Sequence, residues 1–436
     1  MTKANQGRAV YIVDTCRTPF LKVKGKPGAF AAADLAVYAS RALLGRLPIE
    51  PSSIGEVITG CMIPSEDEAN IARIIALRSG CGDKVTAYTV QRNCASGMQA
   101  LDCACKDIQL GRHEIVLAGG TETMSRAPLI YNRPAVLWFA AMMKARTFGA
   151  KLKLFLKLPL KAFMTPTVAL LRGLRDPVVS LGMGQTAENI ADKFKISRED
   201  MDAFAAESHK KLANAIDKGY LKDMIVPIFD DKGNLYQEDE GLRRDSNVKS
   251  LAKLKPFFDK KWGKVTAANS SQVTDGAAFM VLASEEAVKK YKLPVIAKIV
   301  DVEWSGNDPK VMGLAPTHAV PPLLARNDLK FDDVDCWEIN EAFATQVLGC
   351  VKGWADKDYC KEELGLKEAF GTMDMNKLNV DGGAVAIGHP VGASGARIVM
   401  HLVNIMRRDK LKKGVATICI GGGQAGAMLI EVVDNV

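Results

Sequence analysis

Residues 415–420 form an almost unbroken apolar run that stops against three glycines, Gly421-Gly422-Gly423. A strand that is apolar on both faces must be covered on both, so the run predicts a sheet sandwiched between helical layers. Further strand-like runs lie at 9–14, 56–60, 114–118, 295–303, 335–339 and 427–433. Between them, apolar side chains at helical spacing cover 32–47, 69–79, 97–110 and 342–354. Strands alternating with helices imply an α/β fold with parallel pairing. The two ends of the chain also share a layout: an apolar strand, a helix, then a strand leading into a glycine-containing turn with a cysteine. Those cysteines are Cys94 and Cys419, and the repetition hints at a duplicated half.

The middle of the chain differs. Residues 123–250 are basic and turn-rich, with few strand signals. Within them, 197–217 reads as a helix: Ser197 caps it, Asp200 sits three positions on, and Met201, Phe204, Ala205, His209 and Leu212 fall at helical spacing before Gly219 stops it. This middle part reads as an insertion that caps one domain.

At 436 residues the chain has length for two or three domains. It has no apolar run of about 18 residues, so no membrane span is expected. Residues 1–8 lack the apolar core of a secretory signal, which points to the cytoplasm. The ten cysteines contain no C-x-x-C pair, so they read as free thiols in a reducing compartment, with no metal site expected. The net charge of +8 is local. From Thr123 to Arg175 there is no Asp or Glu, while Arg126, Arg133, Lys144, Arg146, Lys151, Lys153, Lys157, Lys161, Arg172 and Arg175 are basic. A patch of this kind is not a nucleic-acid signature.

Four constellations carry chemistry. Asn93-Cys94-Ala95-Ser96-Gly97 lies between a strand and a helix, which would put the Cys94 sulfur at a helix N-terminus, where thiolate is favoured over thiol. In Gly388-His389-Pro390, just before an expected turn at 392–395, His389 sits in a loop able to line a site and take a proton from Cys94. Cys419-Ile420-Gly421-Gly422-Gly423 ends the buried strand, and its glycine N–H groups can form an oxyanion hole beside a second thiol acting as acid and base. Asn340-Glu341-Ala342-Phe343 stands at a strand-to-helix junction, where Asn340 can cap the helix or hold a water.

Taken together and in this order, these motifs resemble the thiolase family over essentially the whole chain. Arg17-Thr18-Pro19-Phe20, Gly119-Gly120-Thr121-Glu122-Thr123-Met124-Ser125, Gly184-Gln185-Thr186-Ala187-Glu188-Asn189 and Thr274-Asp275-Gly276-Ala277-Ala278 add to the likeness. The resemblance implies two similar halves in a five-layer αβαβα core with an inserted loop domain. The divisions would be 1–125 and 251–292 for the N-terminal half, 126–250 for the loop domain and 293–436 for the C-terminal half.

The resemblance further implies that Cys94 accepts the acyl group and His389 activates it. His389 and a water on Asn340 would form one oxyanion hole, and the N–H groups of Cys94 and Gly421 the other, while Cys419 moves the proton at the α-carbon. Coenzyme A would be a co-substrate, with no permanently bound cofactor. Arg243, Ser271 and Met183 are the positions matching CoA and substrate contacts. The implied reaction is cleavage of 3-ketoacyl-CoA in β-oxidation, or alternatively short-chain synthesis of acetoacetyl-CoA.

Residues 144–161 resemble the thiolase subunit of fatty-acid oxidation complexes. That implies a hydratase/3-hydroxyacyl-CoA dehydrogenase partner subunit and peripheral membrane contact, while the wider family resemblance implies a homodimer or tetramer. Three positions depart from expectation. Asn340 stands where that subclass often has histidine, Ile420-Gly421-Gly422 where it often has Ala-Ala-Gly, and Gly182 where short-chain biosynthetic enzymes carry histidine. A ketoacyl-ACP synthase shares the fold, but the second cysteine and Asn-Glu-Ala-Phe speak against it. A silent acyl-CoA-binding scaffold would lack an acylated Cys94.

Overall fold

The computed structural model describes residues 7–433; most of the expected leaderless N-terminus, residues 1–6, lies outside them. Nine strands follow one path: β1 (Val10–Arg17), β2 (Glu56–Gly60), β3 (Thr86–Val90), β4 (Ile115–Thr123), β5 (Thr274–Ser284), β6 (Ala297–Gly306), β7 (Cys336–Ile339), β8 (Lys413–Ile420) and β9 (Gln424–Glu431). Their order is β7-β8-β9-β6-β1-β5-β4-β2-β3. The path divides at β1 and β6, which share only three residue pairs, Val10–Ile299, Tyr11–Lys298 and Ile12–Ala297.

Each side of that junction repeats the same pairing. β1 runs antiparallel to β5, β5 antiparallel to β4, and β4 and β2 parallel. Likewise β6 runs antiparallel to β9, β9 antiparallel to β8, and β8 and β7 parallel. Where β3 extends the first set, a single parallel bridge from Trp337 to Leu378 extends the second.

The helices complete five layers. α1 (Ala32–Arg46) and α2 (Ile71–Arg78) cover the outer face of the first set of strands. α3 (Ser96–Gln109) and α11 (Val391–Arg408) pack on each other and fill the middle layer, α11 touching strands of both sets. α9 (Pro316–Arg326) and α10 (Ala344–Ala355) cover the far face. α11 is buried on nearly every side, as a helix between two sheets must be. The close packing depends on glycine: a Cβ at Gly97 would lie 2.9 Å from both Gly392 O and Ala396 N of α11.

The duplication is therefore real, but its correspondence differs from the sequence reading. Cys94 precedes α3, and α11 is the counterpart of α3, so the repeat pairs the Cys94 loop with the His389 loop. Cys419 lies on β8, the counterpart of β4. The turn expected at 392–395 is instead the first turn of α11.

Between β4 and β5 the chain leaves the sheet and forms α4 (Arg133–Lys144), α5 (Phe148–Phe155), α6 (Leu160–Met164), α7 (Met183–Lys193) and α8 (Arg198–Asp217). The cap on α8 is as expected: Asp200 N donates to Ser197 Oγ at 3.0 Å, and Asp200 Oδ2 accepts from Ser197 N at 3.3 Å. α4 to α6 leave large apolar side chains in the open, with Met143 87% exposed and Phe148 82%. Among the described residues no helix is long and apolar enough to cross a membrane.

Candidate active site

Asn93, with φ of +43°, turns the chain sharply after β3 and delivers Cys94 two residues before α3. An asparagine tolerates this left-handed conformation better than most residues. Two backbone N–H groups point at the Cys94 sulfur, its own and that of Gly421. They draw the thiol pKa down, but burial dominates and pushes it up to about 11. The resting residue is thus a thiol, not the thiolate that a helix N-terminus alone favours. Asn93 reaches across from the same turn, its Nδ2 donating to Gly421 O at 2.8 Å.

His389 is held between Gly388, with φ of +115°, and Pro390, the cap of α11. Its backbone N–H donates to Gln272 O at 3.0 Å. Nδ1 lies 2.6 Å from Ser394 Oγ, and that hydroxyl donates to Pro390 O at 2.9 Å. With the serine proton spent on the carbonyl, Nδ1 carries the hydrogen and donates to Oγ. Nε2 is then the bare nitrogen, and it is buried without a partner. Burial, aided by the nearby Arg397 charge, pulls the imidazole pKa down to about 3. A neutral imidazole with a free Nε2 lone pair is the form able to accept a proton.

Asn340 follows β7 and is fully buried. It does not cap the next helix, which starts at Ala344 behind Phe343. Its Oδ1 accepts from Arg397 Nη2 at 3.0 Å, leaving Nδ2 without a partner. Cys419, near the end of β8, is buried, and its pKa is held well above the usual thiol value by burial first and by Cys94 second. A charge on Cys94 therefore opposes ionisation of Cys419. Gly421 opens the turn after β8, and a Cβ there would meet Met183 Sδ at 3.4 Å. Met183, Met312, Phe343 and Cys419 share one apolar cluster.

Ser271 and Arg243 are more peripheral. Ser271 N donates to Ala342 O at 2.9 Å, one residue before the glutamine that anchors His389. Gln272 Nε2 in turn donates to Gly241 O at 2.7 Å, tethering the loop that carries Arg243. Arg243 N donates to His209 Nδ1 at 3.2 Å, and its guanidinium has no ion-pair partner among the described residues. Cys94, Cys419, Gly421 and Met183 thus come together, and Arg397 links Asn340 to the surroundings of His389.

Sequence reasoning missed Asn93 as a clamp, and it missed Ser394, Arg397 and Gln272. The one visible signal was an arginine inside the apolar run Ala396-Arg397-Ile398-Val399. No group of three or more potential metal ligands occurs among the described residues. Two thiols, an uncharged imidazole and paired N–H donors suit acyl transfer through a thioester.

Comparison with known proteins agrees. Residues 10–286 match the family model "Thiolase, N-terminal domain" and residues 293–432 "Thiolase, C-terminal domain". The chain belongs to the thiolase family. It is an acyltransferase acting on CoA thioesters, with CoA as co-substrate. It is 38% identical to human mitochondrial 3-ketoacyl-CoA thiolase over 97% of this chain and 98% of that protein. It is 37% identical to an acetyl-CoA acetyltransferase of Syntrophomonas wolfei subsp. wolfei over 97% and 99%. The crystal structure of the human mitochondrial thiolase in complex with CoA superposes with a TM-score of 0.83, at 36% identity and 98% coverage of both chains.

Proposed function

We propose that the protein cleaves 3-ketoacyl-CoA to acetyl-CoA and a shortened acyl-CoA in fatty-acid β-oxidation. The observation that carries this is the Cys94 thiol beneath the N–H groups of Cys94 and Gly421, with the Cys419 thiol beside it; the bare Nε2 of His389 is assigned to the same site. His389 Nε2 takes the Cys94 proton, and the sulfur attacks C3 of the substrate. The N–H pair holds the resulting oxyanion. Collapse breaks the C2–C3 bond and leaves acyl-Cys94 and the enolate of acetyl-CoA. His389 and a water on Asn340 Nδ2 stabilise the enolate oxygen, while Cys419 gives its proton to C2. The Cys419 thiolate then deprotonates incoming CoA, whose sulfur displaces the acyl group from Cys94. Cys94 recovers its proton from His389. Splitting one C–C cleavage into two acyl transfers lowers each barrier. Met183, beside Gly421, is assigned to the acyl chain, and Ser271 and Arg243 to CoA.

The test is thiolysis across substrates of C4 to C16, with Cys94→Ala as control. Turnover favouring C10 to C16 supports the β-oxidation reading. Turnover confined to C4 makes this a short-chain acetyltransferase, and no turnover by folded protein sinks the enzyme reading.

Residues 144–161 support a place for the enzyme in the cytoplasm at an anionic membrane surface, as an oligomer beside a hydratase/3-hydroxyacyl-CoA dehydrogenase subunit. Phe148, Leu152, Phe155, Leu156 and Leu160 are exposed among Lys151, Lys153, Lys157 and Lys161. Sedimentation with anionic vesicles, lost on zwitterionic vesicles or in high salt, is expected; equal recovery in the supernatant of both would discount it.

A further inference from the structure

We propose that Arg397 is a positioning residue that sets which end of the Asn340 amide faces the reaction, resting on the thiolase reading above. The two ends of an asparagine amide have nearly the same shape and opposite hydrogen-bonding character. An arginine carries only donors, so it can pair only with the oxygen. Arg397 Nη2 lies 3.0 Å from Asn340 Oδ1, which turns Nδ2 away from Arg397. That Nδ2 is buried and has no protein partner. A donor at Nδ2 leaves both hydrogens of the bridging water free for the enolate oxygen and polarises them; without Arg397, a flipped amide would consume one hydrogen and weaken the other.

Arg397 is itself fixed. Its Nη1 lies 3.2 Å from Glu338 Oε2, and both side chains are 0% exposed. Glu338 sits two residues before Asn340 on the same run of chain. Burying such a pair contributes little to stability, since apolar replacements of similar size are commonly neutral or better. Its orienting effect is the stronger reason for an arginine in the middle of a buried helix. Arg397 also follows Ser394 by one helical turn, so one face of α11 orients both donors assigned to the first oxyanion hole.

The prediction separates two half-reactions. Exchange of labelled CoA into acetyl-CoA uses Cys94 and the N–H pair, and needs no enolate. Cleavage of 3-ketoacyl-CoA needs both. In Arg397→Met, kcat for cleavage is expected to fall about 10²-fold, as for loss of an oxyanion donor. Exchange should fall by no more than about tenfold, since Arg397 reaches it only through its charge near His389. A structural defect would lower both together, and equal losses, or no loss, would overturn the proposal. If Arg397→Met does not fold, Asn340→Asp decides: it keeps an ion pair with Arg397 but offers oxygen on both sides. Cleavage is again expected to fall about 10²-fold, and retained cleavage would overturn the proposal. Wild-type protein inactive in both assays would instead overturn the functional reading.

Discussion

Asn93 Nδ2 donates to the carbonyl of Gly421 at 2.8 Å, tying the turn that carries one thiol to the turn that supplies an N–H above it. The residues are 328 positions apart and belong to different halves. Removing this clamp should loosen the pair of N–H groups at Cys94 without removing either. Asn93→Gly keeps the left-handed backbone, so stability should change by less than about 1 kcal/mol while kcat falls roughly 10- to 100-fold. Asn93→Ala should lose about 1 kcal/mol or more besides. Steady-state kinetics with thermal melts check both; unchanged kcat in the glycine variant would show that the clamp is idle.

Ser394 holds the His389 tautomer. In Ser394→Ala, Nδ1–H loses its acceptor and the two tautomers become closer in energy. We expect kcat to fall about 10²-fold, with partial recovery in Ser394→Thr, which keeps the hydroxyl. Nitrogen chemical shifts of His389 report the tautomer directly, and a shift pattern unaltered by Ser394→Ala would contradict the assignment.

With its pKa pushed up to about 11, against 9.0 for an ordinary thiol, Cys94 should alkylate slowly at neutral pH in the free enzyme. Only thiolate reacts, so the iodoacetamide rate should climb about tenfold per pH unit toward pH 11. Mass spectrometry at Cys94 follows this, and a rate already flat above pH 8 would mean that the N–H pair outweighs burial.

His209 is buried, and its Nδ1 accepts from Arg243 N. Burial and the Arg243 charge lower its pKa to about 4 from 6.5. A depressed pKa means that its stabilising contribution is complete above pH 6.5 and is lost as pH falls through 4. His389 adds a loss of the same sign down to about 3. His209→Gln keeps an acceptor but cannot titrate. Between pH 6.5 and 4 its unfolding free energy should fall less steeply than the wild type's, by up to about 1.4 kcal/mol per pH unit. Parallel curves from denaturant titrations would refute this.

Much of the site was legible because its chemistry needs rare residue types beside glycine. Cys94, His389 and the Cys419-x-Gly421 run stand out for that reason, and the Ser197–Asp200 cap was readable from local bonding alone. β5 and α11 were not found as elements. β5 opens Thr274-Asp275-Gly276-Ala277-Ala278, and α11 opens Gly392-Ala393-Ser394-Gly395-Ala396, runs of small residues with weak propensity. They are small because neighbours crowd them: a Cβ on Gly276 would collide with the ring of Phe20, and one on Gly395 with the backbone of Met98. The Cys94 ionisation was misjudged because a helix end is visible in sequence, whereas burial is not.

β5 lies between β1 and β4, yet it follows β4 by some 150 residues in the chain. On a ribosome, β1 and β4 emerge long before the strand that must separate them. At roughly 5–20 residues per second, the wait is about 8–30 s, during which two apolar edges stay unpaired. The most dangerous shortcut is β1 joining β4 directly, which would shut out β5. Productive folding of this chain thus depends on delay, and a holding chaperone should raise its yield more than one that speeds collapse.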